Sequence, residues 1–313
     1  MMKRLLGKLL IPATLFALIS AYSCSSFDTV YQTGVDTVNV VTDLVTPDPE
    51  PVLKKKLIFA PVINQTKMSS IDGLIKKGMI SFLQRDEFLL VSSMETDSIK
   101  NVNSEGVQYG IVIDSEQVEK AREMGMNILV SCVFHPIETE IKRKGIWPLR
   151  KNRRVVSISI SVNAIDTTNN TLVVSRNETL NVKTDEQNPE FTSKWDPDIS
   201  LLEREIPVVL EKLSSEISEK LFEYPWQSRV SISESNTYFV NAGRDVGIDE
   251  NTRFDLFKKG ESIQSLTGEE YFIFGDKIGE IGVESVSQSR SVLAMSSADN
   301  ASAEFIRVKR LEN

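Results

Sequence analysis

The sequence predicts an α+β fold: an α/β layer carrying an antiparallel hairpin, followed by a small all-β barrel. Three observations lead there. Val156, Ile158, Ile160, Val162 and Ala164 alternate with Ser157, Ser159, Ser161 and Asn163, the period of a strand with its apolar residues on one face and Ser and Asn turned outward. Leu201, Leu202, Ile206, Val209, Leu210, Leu213, Ile217 and Leu221 recur at helical spacing and form one apolar stripe. After Arg229 the chain changes to short β-rich runs with frequent Gly and no helical stripe, the pattern of a small barrel.

The elements follow in order. Leu57 to Ile63 is a short apolar run suited to a buried strand, and Ile71, Leu74, Ile75, Met79, Phe82 and Leu83 give a helix. Phe88 to Val91 is a second strand, and Val112 to Met124 a second helix capped by Asp114 or Ser115. Asn127 to Phe134 is a third strand. The alternating strand ends in the turn cluster Asp166 to Asn170, and Leu172 to Val182 returns as its hairpin partner. Ser200 to Phe222 is the long helix; Pro207 is expected close to its start, where a first turn tolerates it. The later strands are expected at Val230–Ile232, Tyr238–Val240, Arg253–Phe257, Lys277–Ser285 and Ser291–Met295.

The first residues describe export. Lys3, Arg4 and Lys8 precede the apolar run Leu9 to Ile19, and Ser20-Ala21-Tyr22-Ser23-Cys24 follows, the layout of a cleaved signal peptide. The run is too short to cross a bilayer comfortably, which takes about 20 apolar residues. With Cys24 at the end of that pattern, the chain resembles a bacterial lipoprotein precursor, whose cysteine is lipidated and becomes the mature N-terminus. Release by the ordinary signal peptidase after Ser23 and retention of an uncleaved anchor are the other two fates; lipidation at Cys24 is the one carried forward. Ser25, by resemblance to enterobacterial lipoproteins, implies the outer membrane, facing the periplasm. Residues 1–23 are then the signal peptide and 24–53 a tether ending in Pro47-Asp48-Pro49-Glu50-Pro51, which favours extended backbone. Val35, Val38, Val41, Leu44 and Val45 recur at helical spacing inside it, as a short docking helix would require. The α/β domain is expected over 54–227 and the barrel over 228–313.

Charge and chemistry narrow the function. The chain has 44 acidic and 36 basic residues, and losing the three basic residues of 1–23 takes the net charge from −8 to −11. Such an acidic surface argues against general nucleic-acid binding. Cys132 is the only cysteine after Cys24, so the mature chain forms no internal disulfide, and its apolar surroundings predict a buried, inert thiol. The only histidine, His135, precedes Pro136 and lacks the companions of a zinc site; a structural role at a strand end is expected. The sequence holds no Gly-rich phosphate loop, no GxSxG elbow and no HExxH pair. The expectation is a non-enzymatic chain without cofactor or metal.

One basic cluster interrupts the acidic background. Lys142, Arg143, Lys144, Arg150, Lys151, Arg153 and Arg154 bracket Trp147 between two strands, as an extended loop or hairpin tip. Two readings stand side by side: a solvated loop whose Trp147 folds back on the body, or a contact for an anionic protein, headgroup or glycan.

The run Tyr238 to Ile248 (Tyr-Phe-Val-Asn-Ala-Gly-Arg-Asp-Val-Gly-Ile), then Thr252 to Phe257, resembles the C-terminal domain of the bacterial flagellar assembly protein T family. Lys277 to Val286 and Ser291 to Ala294 fit the same template, over residues 229–297. The resemblance implies an SH3-like barrel in which Gly243 and Gly247 supply positive φ at tight turns. Residues 54–224 resemble the α/β domain shared by that family and the curli-secretion channel lipoprotein, through Leu57 to Asn64, Val155 to Asp166 and Thr171-Leu172-Val173. Together these imply an assembly or scaffold lipoprotein with envelope proteins as partners, associated with a flagellar basal body, and attached to the membrane by its N-terminal lipid. Two alternatives go with them: a secretion-channel subunit that forms a homo-oligomeric ring, and a tethered activator of cell-wall synthesis. The basic 142–154 segment fits poorly with the outward apolar band of a membrane-crossing hairpin.

Overall fold

Two sheets, each with its own apolar core, make up the body of this computed structural model, which describes residues 52–94, 115–146, 151–185, 197–233, 237–264, 270–294 and 303–308. Residues 52–313 group as one compact unit. The fold class is α+β, with the second sheet nearly closed on itself as a small barrel.

The first sheet is built from β1 (Lys55–Phe59), β2 (Ile63–Asn64), β3 (Leu89–Ser93), β4 (Ile128–Phe134), β5 (Glu138–Lys144), β6 (Lys151–Asp166) and β7 (Leu172–Asp185). Its order is β3-β1-β4-β6-β5, with β2 also on β4 and β7 along the other side of β6. The pairs of β1 with β3 and β4 are parallel, and those of β6 with β4, β5 and β7 antiparallel. Its helices are α1 (Ser70–Leu83), α2 (Ser115–Glu123) and α3 (Ile199–Glu223).

The apolar face of β6 behaves as its alternation demands: Val156, Ile158, Ile160, Val162 and Ala164 are fully buried against the stripes of α1 and α3. Burying a large aliphatic side chain contributes about 1.5–3 kcal/mol, so this layer dominates the stability of the first sheet. On the opposite face α2 packs Val118 and Ala121 on Ile58, Leu129 and Ile165. The polar residues of β6 depart from expectation, because Ser161 and Asn163 are buried rather than outward in water. Their hydrogen bonds are made across strands instead: Asn177 donates to Ser161 Oγ at 2.7 Å, and Ser175 Oγ donates to Asn163 at 2.9 Å. Satisfied polar groups can be buried at little cost.

One further expectation is corrected, and one falls partly outside the described residues. α3 begins at Ile199, capped by the Asp198 side chain, which accepts from the Ile199 N–H at 2.7 Å. Pro207 therefore lies well inside the helix rather than in its first turn. It survives there because the buried stripe on either side, Ile206 and then Val209 and Leu210, outweighs the one backbone bond that proline cannot donate. α2 starts at Ser115, which is helical rather than its cap; Asp114 lies outside the described residues.

The second sheet runs β8 (Gln227–Arg229), β14 (Ala303–Val308), β11 (Arg253–Gln264), β12 (Glu270–Val286), β13 (Ser291–Leu293), β10 (Tyr238–Val240) and β9 (Ser231–Ile232), in that spatial order. Its core includes Val240, Val246, Ile248, Phe254, Leu256, Ile306 and Trp226, with Leu53 entering from the other end of the chain. Gly247 has φ +94° and takes the left-handed turn expected of it. Gly243 does not: its φ is −147°, and its constraint is space, since an added Cβ would sit 2.3 Å from the Ser287 carbonyl oxygen. β14 and the long outer parts of β11 and β12 were not anticipated from the sequence.

Candidate functional site: a basic ribbon, a polar seam and a phenylalanine cleft

The predicted basic cluster is the end of a ribbon. β5 and β6 pair from Glu138↔Ser157 to Lys144↔Lys151, and β7 accompanies β6 as far as Arg153↔Asp185. Lys142 stands opposite Arg153, and Lys144 opposite Lys151. Lys142, Arg143 and Arg153 are exposed, with Lys142 bridged to Glu140 at 2.9 Å. Beyond the ribbon, Gly145 takes φ +114° and Ile146 is 86% exposed. Arg154 is the exception: strand alternation turns it to the opposite face, where it is 5% exposed and outside any solvent-facing basic surface. Trp147, Arg150 and Cys24 lie outside the described residues.

The other chemically notable residues are occupied by the fold. The His135 ring meets Gln65 Oε1 at 3.2 Å and Ser161 Oγ at 2.7 Å, and burial lowers its pKa from 6.5. Cys132 is fully buried, and the loss of hydration pushes its thiol pKa up, away from the reactive thiolate.

A polar seam joins the two sheets. Asp166, 1% exposed, accepts from the Thr168 N–H at 2.6 Å and from Gln227 Nε2 at 2.7 Å. Burial raises its carboxyl pKa, and the bonds from Thr168, Gln227 and Tyr224 pull it back. Gln227 Nε2 also donates to the Tyr224 hydroxyl at 2.9 Å, while Gln227 Oε1 accepts from Arg307 Nη2 at 2.9 Å. Asn127 Nδ2 donates to the Gln227 carbonyl at 3.0 Å, and Arg229 Nε to the Thr168 carbonyl at 2.8 Å. The Arg229 guanidinium stacks 4.4 Å from the Phe272 ring centroid. These groups come from positions 61 and 100 residues apart, a juxtaposition that no local signal announces.

Sequence reading also missed a cleft of about 470 Å³ between the C-terminal halves of α1 and α3. Phe82, Phe88 and Phe222 line it, with Ser214, Ser215 and Ser218. The Phe88 and Phe222 rings meet edge to face at 5.3 Å, yet Phe222 remains 55% exposed. Asp86, Glu211 and Glu219 stand around it with Arg85, which bridges Glu211 at 3.6 Å, while the Ser218 hydroxyl donates to Asp86. Its phenylalanines fell on separate expected elements, so no local pattern announced it.

No family model matches this sequence, and no curated protein matches it. Among solved structures, the chain is similar to the PelC dodecamer from Paraburkholderia phytofirmans at 13% identity, over 54% of this chain and 91% of that one, with a TM-score of 0.32. It is similar to lipoprotein GNA1162 from Neisseria meningitidis at 9% identity, over 51% and 99%, with a TM-score of 0.29. A minor lipoprotein from Acinetobacter baumannii aligns at 10% identity over 54% and 93%, with a TM-score of 0.28. Likeness at these scores carries nothing about function.

Proposed function

We propose that this chain is a non-enzymatic lipoprotein of the bacterial cell envelope, lipidated on Cys24, which serves as an assembly scaffold and meets an anionic partner through its basic ribbon. The observation that carries the contact reading is the register Lys142↔Arg153 and Lys144↔Lys151. Like charges directly opposite on a strand pair are unfavourable. An acidic chain that sets Lys142 opposite Arg153, with Arg143 also exposed and Ile146 86% exposed, offers a basic surface to an anionic partner even with Lys142 bridged to Glu140 and Asp185 opposite Arg153. The non-enzymatic reading draws on His135, Cys132 and Asp166, each held in a structural role by its neighbours. The resemblance of residues 229–297 to flagellar assembly protein T supports the finer setting, a periplasm-facing scaffold at a basal body.

Two measurements test this. Labelled palmitate should enter the wild-type chain, which should fractionate with the outer membrane, and should not enter the Cys24→Ala variant; an unlabelled wild type refutes the anchor. Lys142→Glu/Arg143→Glu/Arg153→Glu should abolish capture of the chain's envelope partners. Unchanged capture refutes the ribbon as a contact.

A further inference from the structure

The ribbon and the cleft are complementary. The ribbon offers exposed Lys142, Arg143 and Arg153 around a bare aliphatic side chain, Ile146. The cleft offers phenylalanines, one of them half exposed, beside the exposed Glu219 and a Glu211 bridged to Arg85 at 3.6 Å, with Asp86 accepting from Ser218 deeper in. We propose that the cleft receives the basic ribbon of a second copy of this chain, so that copies associate head to tail. The proposal rests on the reading of the ribbon as a contact surface and names its partner.

Position within the fold makes the contact intermolecular. The cleft adjoins the barrel: the Phe88 carbonyl accepts from the Lys55 N–H at 2.8 Å, and the next residue back, Lys54, donates to the Val246 carbonyl of the barrel at 2.8 Å. The ribbon lies at the far end of β6, whose Asp166 end sits in the seam. From Asp166 to Lys151 the strand covers roughly 50 Å at about 3.3 Å per residue. One molecule cannot close that gap on itself. Two different patches at opposite ends of a chain give a heterologous contact, which repeats from copy to copy as a ring or an open row. Burial of Ile146 among the phenylalanines supplies the apolar part of the contact, and the rim carboxylates set the register against the ribbon cations.

The test is a charge swap on the processed, lipid-bearing chain in detergent, followed by sedimentation velocity across the micromolar range. The wild type should show species larger than the monomer. Glu211→Lys/Glu219→Lys in the cleft, or Lys142→Glu/Arg143→Glu/Arg153→Glu in the ribbon, should each weaken association by about 100-fold, because like charges then meet. All these positions are exposed, so thermal melts should report an intact fold. Mixing the two variants should restore association. A wild type that stays monomeric, variants that associate as it does, or a mixture that fails to recover overturns the proposal. If the ribbon variant loses an envelope partner while the wild type is monomeric, the ribbon remains a contact and only its assignment to the cleft falls. A ribbon variant that changes neither refutes both.

Discussion

Replacing Gln227 by alanine tests whether the seam is a charged joint or only a packed one. Gln227 is 2% exposed and bonds the Asp166 carboxylate at 2.7 Å and the Arg307 guanidinium at 2.9 Å. Hydrogen bonds to charged groups contribute about 1.5–3 kcal/mol, and a buried partner left without a donor loses the full amount. Asp166, 1% exposed, keeps its bonds from Thr168 and Tyr224 and loses only the Gln227 donor, while the half-buried Arg307 recovers part of its loss from solvent. The expected cost at neutral pH is therefore about 1.5–3 kcal/mol. Its pH dependence is the sharper part. Burial holds the Asp166 pKa above the unfolded 3.8, and the Gln227 bond is one of the groups pulling it down. A raised acid contributes stability that is fully present below 3.8 and lost as pH rises through the folded value. Removing Gln227 raises that value further, so the variant loses more over the same window. Urea denaturation at about pH 4 and pH 7 measures the difference, and the penalty should grow with pH. A penalty equal at both pH values, or under about 1 kcal/mol at neutral pH, refutes the charged joint.

Gly243→Ala should cost about 1–3 kcal/mol by overpacking, because its Cβ meets backbone at 2.3 Å, while Gly279→Ala, with nothing within 4 Å, should stay within about 0.5 kcal/mol; thermal melts of the pair check this. In a Cys24→Ala background the Cys132 thiol should resist a thiol reagent in the native state and react at the rate of unfolding, and rapid native labelling would contradict its burial. The lowered His135 pKa means stability is present above 6.5 and lost as pH falls through the folded value, so His135→Gln should flatten the acid side of the stability profile by less than about 1 kcal/mol, the ring being partly exposed.

Local pattern made the first sheet legible. The alternation of β6 and the stripe of α3 belong to elements that bury one face, and such faces write their period into the sequence. The same rule misread Ser161 and Asn163, since a polar residue bonded across strands looks identical to one in water. β14 escaped because the charged Glu304 and Arg307 interrupt its apolar residues Phe305, Ile306 and Val308 within only six positions. The outer ribbon of β11 and β12 was hidden by Lys258, Lys259, Gly260 and Gly275, which imitate a turn. The basic ribbon could be placed from composition alone, but the burial of Arg154 depends on strand parity that a run of charges conceals. The seam and the cleft are long-range meetings, and no window of sequence contains either.

The entry of the chain into the body has a mechanical consequence. Leu53 is 3% exposed inside the barrel core, Lys54 bonds the Val246 carbonyl, and Lys56 reaches Asp245 at 2.7 Å before β1 runs on between β3 and β4. A pull applied at residue 52 thus acts along a strand held on both sides by parallel partners, in register from Lys55↔Leu89 to Phe59↔Ser93 and from Leu57↔Ile128 to Phe59↔Val130. Those bonds are strained together in shear rather than opened one after another. Tension on the N-terminus is shared at once between the two sheets, so the body resists being drawn apart from the end by which it would be held.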